Sequence, residues 1–411
     1  MLPIDSLRQQ FPSLAQTRAI HFDNPGGTQV AQQVINRVQD YYLTCNANHG
    51  GLFRTSEQSD AIIDQTRKSM ATWLNAASSD EIVFGQNMTT LTLHMSRSLA
   101  HLLNPGDEIV LTHLDHDANV APWLLIAQDR GCTVRWVDIH PEDCTLDLES
   151  LERAVNEKTK IVALGYASNA VGTINNVKRA AEIAHSVDAL CYVDAVQYVA
   201  HGVTDVQDLD CDFLVCSAYK YFGPHIGVMY GKYELLDRLT AYKVRTSSSL
   251  PPEKWETGTG SFETIAGTLG ALEYFEWLGS QVLGNRASLV PLRERYVAAM
   301  NAINQYEQEL SCRLCEGLSA IPGVKVYGIT DQARMSERVA TVSCTIENKT
   351  PAEIAQKLNE HDIFVWNGNF YALEVTTTLG LEEKGGLVRI GAVHYNTQRE
   401  VDKLLEVLPT L

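Results

Sequence analysis

From about residue 80 to residue 230, short runs of β-branched and apolar residues alternate with stretches that have the spacing of amphipathic helices. The strand-like runs are EIVLT at 108–112, TVRWVD at 133–138, IVALGY at 161–166, LCYVD at 190–194, DFLVCS at 212–217 and IGVMYG at 226–231. This alternation predicts βαβ units and a mostly parallel sheet that helices cover on both faces. Because ligands gather at the carboxyl ends of such strands, the residues that directly follow these runs are the first candidates for function.

The pattern changes after a loop rich in Ser, Pro and Gly at 246–261 and a long helical region that runs to about residue 320. Two further strand-like runs, VKVYG at 324–328 and VATVSC at 339–344, are followed by the helix-like segment TPAEIAQKLNEHD. This C-terminal part is therefore predicted to be a small α+β domain.

Two capping boxes indicate where helices begin in that part of the chain. Thr350 is predicted as an N-cap, with Pro351 at the first helical position and Glu353 as its partner, and Thr397 with Glu400 repeats the pattern. We expect the N-terminal segment to lie with the small domain or to clasp the large one. The predicted division is an N-terminal segment at 1–20, a large α/β domain at 21–284 and a small C-terminal α+β domain at 285–411.

The composition is that of a globular protein, with 45% hydrophobic and 20% charged residues among 411 positions. The 33 Lys and Arg residues against 50 Asp and Glu residues give a net charge of −17, which repels a polyanion, so no nucleic acid partner is expected. The apolar runs are far shorter than the roughly 20 residues of a membrane helix, so no membrane association is expected. The start MLPIDSLRQQFPSL lacks the pattern of a secretory signal, and we expect a cytoplasmic protein.

Nine cysteines, an odd number, are scattered along the chain, and several fall in strand-like runs, as reduced core thiols do. Cys312 and Cys315 form a CxxC, but no second pair and no histidine accompanies them. The sequence therefore predicts no metal site.

Asp194 and Lys220 are the first pair of residues that suggests chemistry. Asp194 ends the run YVD and Lys220 follows the next run in VCSAYKYFGP, so both are expected at the carboxyl edge of one sheet. A lysine forms a Schiff base with an aldehyde cofactor, and a carboxylate beside a pyridine nitrogen keeps the ring protonated, so that a carbanion at the substrate Cα is delocalised into it. Taken singly, each residue has an ordinary explanation as a solvated lysine or a helix-capping aspartate.

Three further residues supply the contacts that such a ring needs. His116 in LDHDANVAPW follows the EIVLT run and is placed to stack its imidazole on one ring face. Asn169 in SNAVG and Gln197, three residues after Asp194, are placed to hydrogen-bond a phenolic oxygen. Together these parts specify a site that none of them specifies alone.

A phosphate site is predicted at the turn 86–90, which leads into an amphipathic stretch. Backbone N–H groups at a helix start, here those around Met88 and Thr89, bind phosphate well because the helix dipole adds to their hydrogen bonds. Ser217 and Tyr219 lie close to Lys220 in the sequence and can add hydroxyl groups.

With these residues in place, the chain resembles the class V aminotransferase family of fold-type I pyridoxal-phosphate enzymes, and within it the cysteine desulfurase-like members. The resemblance runs from FDNPGGTQV at 22–30 almost to the C-terminus. It rests on LDHDANVAPW, SNAVGTINNV, YVDAVQ, LDCDFLVCSAYKYFGP, WETGTGS, FVWNGNFYAL and VRIGAVHYNT. The implied fold is a large domain with a mostly parallel sheet and a small C-terminal α+β domain, and the implied cofactor is pyridoxal 5'-phosphate.

The resemblance implies a role for most of the candidate residues. They are Lys220 as the aldimine lysine, Asp194 on the pyridine nitrogen, His116 as the stacking residue, Gln197 on the phenolic oxygen, Thr89 and Ser217 on the phosphate, and Asn169 and Arg389 on the substrate carboxylate. In this family the motif around Thr259 reaches the phosphate from a neighbouring subunit, which implies a homodimer with shared active sites.

Three departures from the family pattern lie near the cofactor and the substrate. Tyr219 replaces a histidine near the phosphate, and the phosphate turn carries Met88 and Thr90 where the family has a small residue or threonine and a glutamate. Trp366-Asn367-Gly368 replaces arginine-threonine-glycine. A positive charge is therefore missing near the substrate, and Asn367 becomes a candidate for substrate binding.

The fourth departure concerns the reaction, because Tyr371 in NGNFYAL stands where the family has the cysteine that accepts sulfur. A phenol cannot form a persulfide. A thiolate that replaces it must be exposed near the site, and Cys45 in TCNANHG is the cysteine whose loop is a candidate for reaching it.

The leading hypothesis is an enzyme that acts on an α-amino acid through an external aldimine, with Lys220 moving the Cα proton. Elimination from Cβ, as in a C–S lyase, is favoured, and transamination and epimerisation remain as alternatives. A non-catalytic protein that keeps the fold is disfavoured because Lys220, Asp194, His116 and Arg389 are all retained. A nicotinamide-dependent dehydrogenase is disfavoured because no GxGxxG follows a first strand.

Overall fold

The computed structural model describes residues 2–411, which form two main sheets and the helices that cover them. The strands are β1 (Ile20–His21), β2 (Ile82–Gly85), β3 (Glu108–Thr112), β4 (Thr133–Val137), β5 (Ile139–His140), β6 (Thr145–Leu146), β7 (Thr159–Gly165), β8 (Leu190–Asp194), β9 (Phe213–Ser217), β10 (Gly227–Gly231), β11 (Val324–Tyr327), β12 (Thr341–Ile346), β13 (Ile363–Phe364), β14 (Trp366–Gly368) and β15 (Leu387–Gly391). The helices are α1 (Ile4–Arg8), α2 (Pro12–Gln16), α3 (Gln32–Thr44), α4 (Arg54–Leu74), α5 (Met88–Leu99), α6 (Ala121–Arg130), α7 (Leu148–Ala154), α8 (Val177–His185), α9 (Val206–Leu209), α10 (Tyr233–Arg238), α11 (Phe262–Leu283), α12 (Leu292–Ser319), α13 (Pro351–Asn359), α14 (Leu373–Thr378) and α15 (Gln398–Val407).

The seven-stranded sheet has the order β2-β10-β9-β8-β7-β3-β4. Its neighbours from β9 to β4 pair in parallel, and β10 runs antiparallel to β9 and β2. The predicted mostly parallel sheet is therefore confirmed, and all six strand-like runs between 108 and 231 form strands of it.

Each face of this sheet carries its own apolar core, which explains why its strands are apolar throughout. Along β3, Val110 belongs to one cluster of buried side chains, and Ile109 and Leu111 belong to the cluster on the other face. On β8, Val193 belongs to the same cluster as Val110, and Tyr192 belongs to the cluster on the other face. The sheet is thus rigid, and its carboxyl edge is a fixed platform for the residues that follow the strands.

The four-stranded sheet has the order β11-β12-β15-β14 and is antiparallel throughout. The capping boxes at Thr350 and Thr397 are both formed, each with its glutamate partner, and they begin α13 and α15. This confirms the predicted helix starts. The limits of 1–20, 21–284 and 285–411 for the three parts of the chain stay a prediction.

Phe11 and Arg8 of the N-terminal segment contact residues that flank the seven-stranded sheet and the four-stranded sheet. The Phe11 ring meets Phe222 at 5.4 Å and Tyr395 at 4.9 Å between centroids. Arg8 forms an ion pair with Glu400 at 3.0 Å. The segment therefore clasps the large domain and the small one together. Among residues 2–411, no helix is long and apolar enough to cross a membrane.

Candidate active site

A cleft lies at the carboxyl edge of the seven-stranded sheet. Its walls come from segments that directly follow β3, β7, β8 and β9 and from the first turn of α5. This is the place where a parallel sheet collects ligand-binding residues. The lining residues are Met88, Thr89, Leu114, Asp115, His116, Gly165, Ala167, Ser168, Asn169, Asn175, Asp194, Val196, Gln197, Tyr219 and Lys220.

Lys220 follows β9 in a single turn of 3-10 helix, and its Nζ donates to the carbonyl oxygen of Pro25. A Cβ at position 26 would lie 2.7 Å from a carboxylate oxygen of Asp23, so a larger residue than Gly26 would displace that side chain. Burial, followed by the positive charge of Arg389, lowers the pKa of Lys220 from 10.5 to about 7. Such an amine is partly neutral, and therefore nucleophilic, at neutral pH.

Two buried carboxyl groups lie at the cleft. Asp194 ends β8 and accepts a hydrogen bond from the N–H of Val196 at 2.9 Å, and burial raises its pKa to about 6. Asp115 accepts from the hydroxyl of Thr112 and, at 3.2 Å, from the amide of Asn119. Burial raises the pKa of Asp115 to about 7, and the nearby charge of Asp194 acts in the same direction. Cleft carboxyls with raised pKa values are typical of functional sites.

His116 presents a neutral imidazole to the cleft. Its Nδ1 accepts from the N–H of Ala118 at 3.0 Å. Burial, and then the charges of Lys220 and Arg389, lower the pKa of His116 to about 4. The Tyr371 ring lies nearly parallel to the imidazole, with 5.5 Å between centroids and 25° between planes. The structure thus places the predicted stacking histidine in the cleft and the tyrosine directly beside it.

Asn169 and Gln197 each hold an unpartnered polar atom in this buried environment. Asn169 donates through Nδ2 to the carbonyl of Phe370 at 2.9 Å, and Gln197 donates through Nε2 to Thr341 Oγ1 at 3.1 Å and lies 3.3 Å from His201 Nε2. The Asn169 Oδ1 and Gln197 Oε1 atoms are buried without a partner among the described residues. Because unpaired buried oxygens are costly, these two atoms fit a polar ligand between Lys220 and Asp194.

The predicted phosphate side is formed by the start of α5 and the end of β9. Asn87 caps α5 with its side chain, and the N–H of Met88 donates to Ser217 Oγ at 3.0 Å. Met88, Thr89 and Tyr219 line the cleft. The start of α5 and the residues Thr89 and Tyr219 therefore line the same space as Lys220, which suits anion binding, whereas Ser217 lies behind Met88 and does not line it.

Arg389 lies on β15 and is buried at the small-domain side of the cleft. Its Nη1 donates to the carbonyl of Asn169 at 3.1 Å, and its Nη2 lies 3.4 Å from Asp23 Oδ1. The Phe370 ring covers the guanidinium at 4.4 Å, and the Nε atom has no partner among the described residues. The guanidinium is thus fixed in place with hydrogen-bonding capacity left for a carboxylate.

Asn367 and Thr259 are among the predicted residues that do not line the cleft of this chain. Asn367 pairs with Val388, whereas Trp366 pairs with Arg389. Since side chains alternate along a strand and opposed residues share a face, Asn367 projects away from the arginine, toward the side of buried Val388. Thr259 is exposed and does not line the cleft, so its predicted contact with a partner subunit stays a prediction.

No cysteine among residues 2–411 lines the cleft, and all nine are unpaired. Cys45, the candidate surrogate for the missing sulfur acceptor, is buried, with its Sγ 3.7 Å from the carbonyl of Tyr41. The Cys45 thiol therefore does not line the cleft, because the end of α3 turns it into the core. Cys191, Cys216 and Cys344 are buried, as predicted.

Sequence reasoning missed three residues that shape the site: Asp115, Asp23 and Phe370. Asp115 directly precedes His116, and a carboxylate beside a candidate stacking residue is a signal that the sequence offers. Asp23 was visible in FDNPGG, but its distance to Arg389 depends on the bridge that pairs Asp23 with Gly391 at the end of β15. The position of Phe370 depends on the loop after β14, for which the sequence gives no signal.

The fold agrees with comparisons to known proteins. A family model described as "Aminotransferase class-V" matches residues 20–404. The chain is 34% identical to the "Aminotransferase-like protein FGM3" of Gibberella zeae, over 98% of this chain and 97% of that protein. It is 29% identical to a cysteine desulfurase of Serratia proteamaculans, over 98% of this chain and 97% of that protein. The apo structure of a cysteine desulfurase from Thermococcus onnurineus NA1 matches with a TM-score of 0.88 and 27% identity, over 100% of this chain and 98% of that one.

The chain belongs to the class V aminotransferase family. It has the fold-type I architecture and is a pyridoxal-phosphate-dependent enzyme of the cysteine desulfurase-like kind. The buried lysine, the buried carboxyl groups and the two unpartnered amide oxygens described above fit that cofactor.

Proposed function

We propose that this enzyme is a C–S lyase that performs β-elimination on a sulfur-containing α-amino acid. The Cα proton and the sulfur substituent at Cβ leave, and the remaining enamine hydrolyses to pyruvate and ammonia. The sulfur-containing group departs to solvent as a thiol. Transamination and epimerisation have no specific support among the described residues.

One observation carries this proposal: the cleft has no thiol to accept sulfur. Transfer of sulfur to the protein needs an exposed thiolate near the substrate, and Tyr371 stands at that position with its ring on His116. The nearest alternative that the sequence suggested, Cys45, is buried. Elimination needs no acceptor, so the site retains what that reaction requires.

The roles of the chain's own groups follow from their geometry. Pyridoxal phosphate, when bound, supplies the electron sink for the Cα carbanion. Lys220 Nζ, with its lowered pKa, is suited to remove the Cα proton at neutral pH. In this proposal Asp194 would hold a proton on the ring nitrogen, and neutral His116 would orient the ring by stacking; both line the cleft. Arg389, which donates to the carbonyl of Asn169, would bind the substrate carboxylate together with that residue.

The product analysis is the test of this proposal. The holoenzyme should convert cysteine or cystine into pyruvate and ammonia in equal amounts, and Lys220→Ala should abolish both. Alanine as the main product would contradict elimination and support desulfuration. A keto acid formed without ammonia, in proportion to an added acceptor keto acid, would instead establish transamination.

We further propose a cytoplasmic homodimer in which Thr259 of the partner subunit contributes to the phosphate site. The family resemblance supports the dimer, and the exposure of Thr259 leaves it free to reach a second subunit. Nine unpaired cysteines suit the reducing cytoplasm.

A complementation experiment tests the shared site. Lys220→Ala and Thr259→Ala chains are denatured, mixed and refolded, and activity is measured at limiting cofactor. A hybrid dimer regains one complete site if Thr259 acts across the interface, so the mixture should exceed the sum of the two parents. No gain over that sum, from samples that are dimers by light scattering, would place Thr259 outside the partner's site.

A further inference from the structure

The side of the cleft beside Arg389 ends in a group of apolar side chains that no step of the proposed reaction uses. We call Trp366, Phe370, Tyr371 and Leu373 the aromatic rim. Trp366 is 53% exposed, Tyr371 74% and Leu373 41%. Large apolar groups gathered in one short exposed segment are typical of a binding surface.

The strand register directs the rim toward the substrate. Trp366 on β14 lies directly opposite Arg389 on β15, and opposed residues of antiparallel strands project from the same face. Phe370 covers the Arg389 guanidinium at 4.4 Å, and Tyr371 lies on His116 with 5.5 Å between centroids. The aromatic rim therefore continues from the proposed carboxylate site to the proposed stacking residue.

The loop that carries the rim is held in place on both sides. The carbonyl of Phe370 accepts from Asn169 Nδ2 at 2.9 Å, and the carbonyl of Tyr371 accepts from the N–H of Asp117 at 2.6 Å. Phe370 and Tyr371 are both in the left-handed region, with φ of 56° and 59°, which L-residues adopt only when their surroundings enforce it. Because the rim is already ordered, ligand binding loses little conformational entropy in this loop.

The segment that carries the rim has no basic residue, which disfavours a negatively charged group on the substrate sulfur. Residues 366–373, WNGNFYAL, contain no lysine, arginine or histidine. The neighbouring cation, Arg389, is reserved for the α-carboxylate in the proposed function and is already close to Asp23. A second carboxylate on the substrate would have no partner in this segment, whereas an apolar group would be covered by the rings.

We propose that the substrates are S-substituted cysteines whose sulfur carries an uncharged, apolar or aromatic group, which the aromatic rim binds. This rests on the proposed elimination. With S-benzylcysteine, the Cα proton passes to Lys220, the Cβ–S bond breaks, and the sulfur leaves with the bonding electrons and is protonated. The net reaction consumes one water and gives benzyl thiol, pyruvate and ammonia, so no oxidant or reductant is required.

The kinetic test compares three substrates in the holoenzyme: S-benzylcysteine, S-carboxymethylcysteine and free cysteine. We expect the highest kcat/KM for S-benzylcysteine. Tyr371→Ala should lower its kcat/KM by about tenfold, the scale of lost aromatic contact, and lower that of free cysteine less, so that the ratio of the two values falls. Trp366→Arg should raise the relative rate of S-carboxymethylcysteine. Tyr233→Ala removes an exposed tyrosine of α10 and serves as the control, with no change in any ratio.

A binding measurement separates this inference from the proposed function. S-benzyl-α-methylcysteine lacks the Cα proton and cannot be eliminated, so its dissociation constant reports recognition alone, by titration calorimetry or by the cofactor absorbance. It should bind about tenfold more weakly to Tyr371→Ala than to the unmodified enzyme. Equal affinity for both proteins, or an equal kcat/KM for all three substrates, would contradict the proposal that the aromatic rim binds the group on the substrate sulfur. If no substrate yields pyruvate while the analogue still discriminates, the elimination is wrong and the rim stands.

Discussion

Lys220 has the property on which capture of an aldehyde cofactor depends, an amine that loses its proton near neutral pH. Its pKa is lowered from 10.5 to about 7, so the neutral, reactive form predominates above that pH. We predict that the rate at which cofactor-free protein takes up pyridoxal phosphate rises with pH through about 7 and levels off above it. Stopped-flow absorbance measures this rate.

Borohydride reduction then identifies the lysine. The cofactor should be fixed to the peptide that contains Lys220, and Lys220→Ala should show no stable label. Lys232→Ala, which removes a lysine paired with Asp210 at 2.7 Å, is the control and should be labelled as the unmodified protein is. A label on another lysine, or an uptake rate that keeps rising up to the ordinary lysine pKa, would contradict the assignment.

Arg389 can have a binding role, a structural role, or both. A guanidinium holds a carboxylate by two parallel hydrogen bonds that lysine cannot reproduce. We predict that Arg389→Lys lowers kcat/KM roughly thirtyfold, mainly through KM, as expected for a loss of about 2 kcal/mol. Arg334→Lys, at an exposed ion pair with Glu337, is the control. Unchanged kinetics with a lower Tm would show that Arg389 has only a structural role, in which it connects Asn169 and Asp23.

At the scale of elements, α12 is tied to the large domain by a buried carboxylate. Glu307 on α12 lies 2.5 Å from His201 Nδ1 and 3.6 Å from His394 Nδ1, and His394 Nε2 lies 2.6 Å from the Tyr274 hydroxyl. Although burial by itself raises the pKa of Glu307, the two imidazoles bring it below its usual value. The ionised carboxylate therefore stabilises the fold above its unfolded pKa, and this contribution is lost as pH falls through the lower folded pKa.

We predict that Glu307→Gln destabilises the protein by about 2 kcal/mol at neutral pH, because it replaces charge-assisted hydrogen bonds by neutral ones. The difference in Tm from the unmodified protein should shrink as the pH is lowered into the acid range. Glu309→Gln, at an exposed position two residues along the same helix, is the matched control and should change little. A Tm difference that is constant with pH would mean that Glu307 is not ionised in the folded protein.

The sequence predicts elements of this fold better than it predicts their pairing. Strand β3 has the predicted bounds of 108–112, and the Thr350 capping box begins α13, because local patterning and capping chemistry decide both. Nothing in the run IGVMYG indicates that β10 runs antiparallel to its neighbours. The face of Asn367 likewise depends on the pairing of Trp366 with Arg389, which is a contact between strands and leaves no local signal.

The residues of the site likewise divide into those that local sequence predicts and those that depend on tertiary contacts. Asp194, His116 and Lys220 were accessible from the sequence because each lies at the carboxyl end of a strand or a few residues beyond it. The burial of Cys45 was not, since a polar loop such as TCNANHG gives no sign that the core holds its thiol. The unpartnered oxygens of Asn169 and Gln197 appear only when the hydrogen bonds of both side chains are known.

For the whole molecule, the fold matches a cysteine desulfurase over the full chain, and no cysteine among residues 2–411 lines the cleft. The cleft holds a buried lysine and buried carboxyl groups, and the segment at 366–373 near it contains three aromatic residues. We therefore propose that this enzyme uses pyridoxal phosphate for chemistry at Cα and releases the sulfur-containing group to solvent.

Intact-protein mass spectrometry after a single turnover tests this account most directly. The holoenzyme is mixed with a stoichiometric amount of cysteine, quenched without reductant and weighed, and the Tyr371→Cys variant is treated in parallel as the control that restores a thiol at the rim. The account predicts an unchanged mass for the unmodified enzyme, with pyruvate formed. A mass increase of one sulfur atom on the unmodified enzyme, removed by reductant and accompanied by alanine, would contradict it.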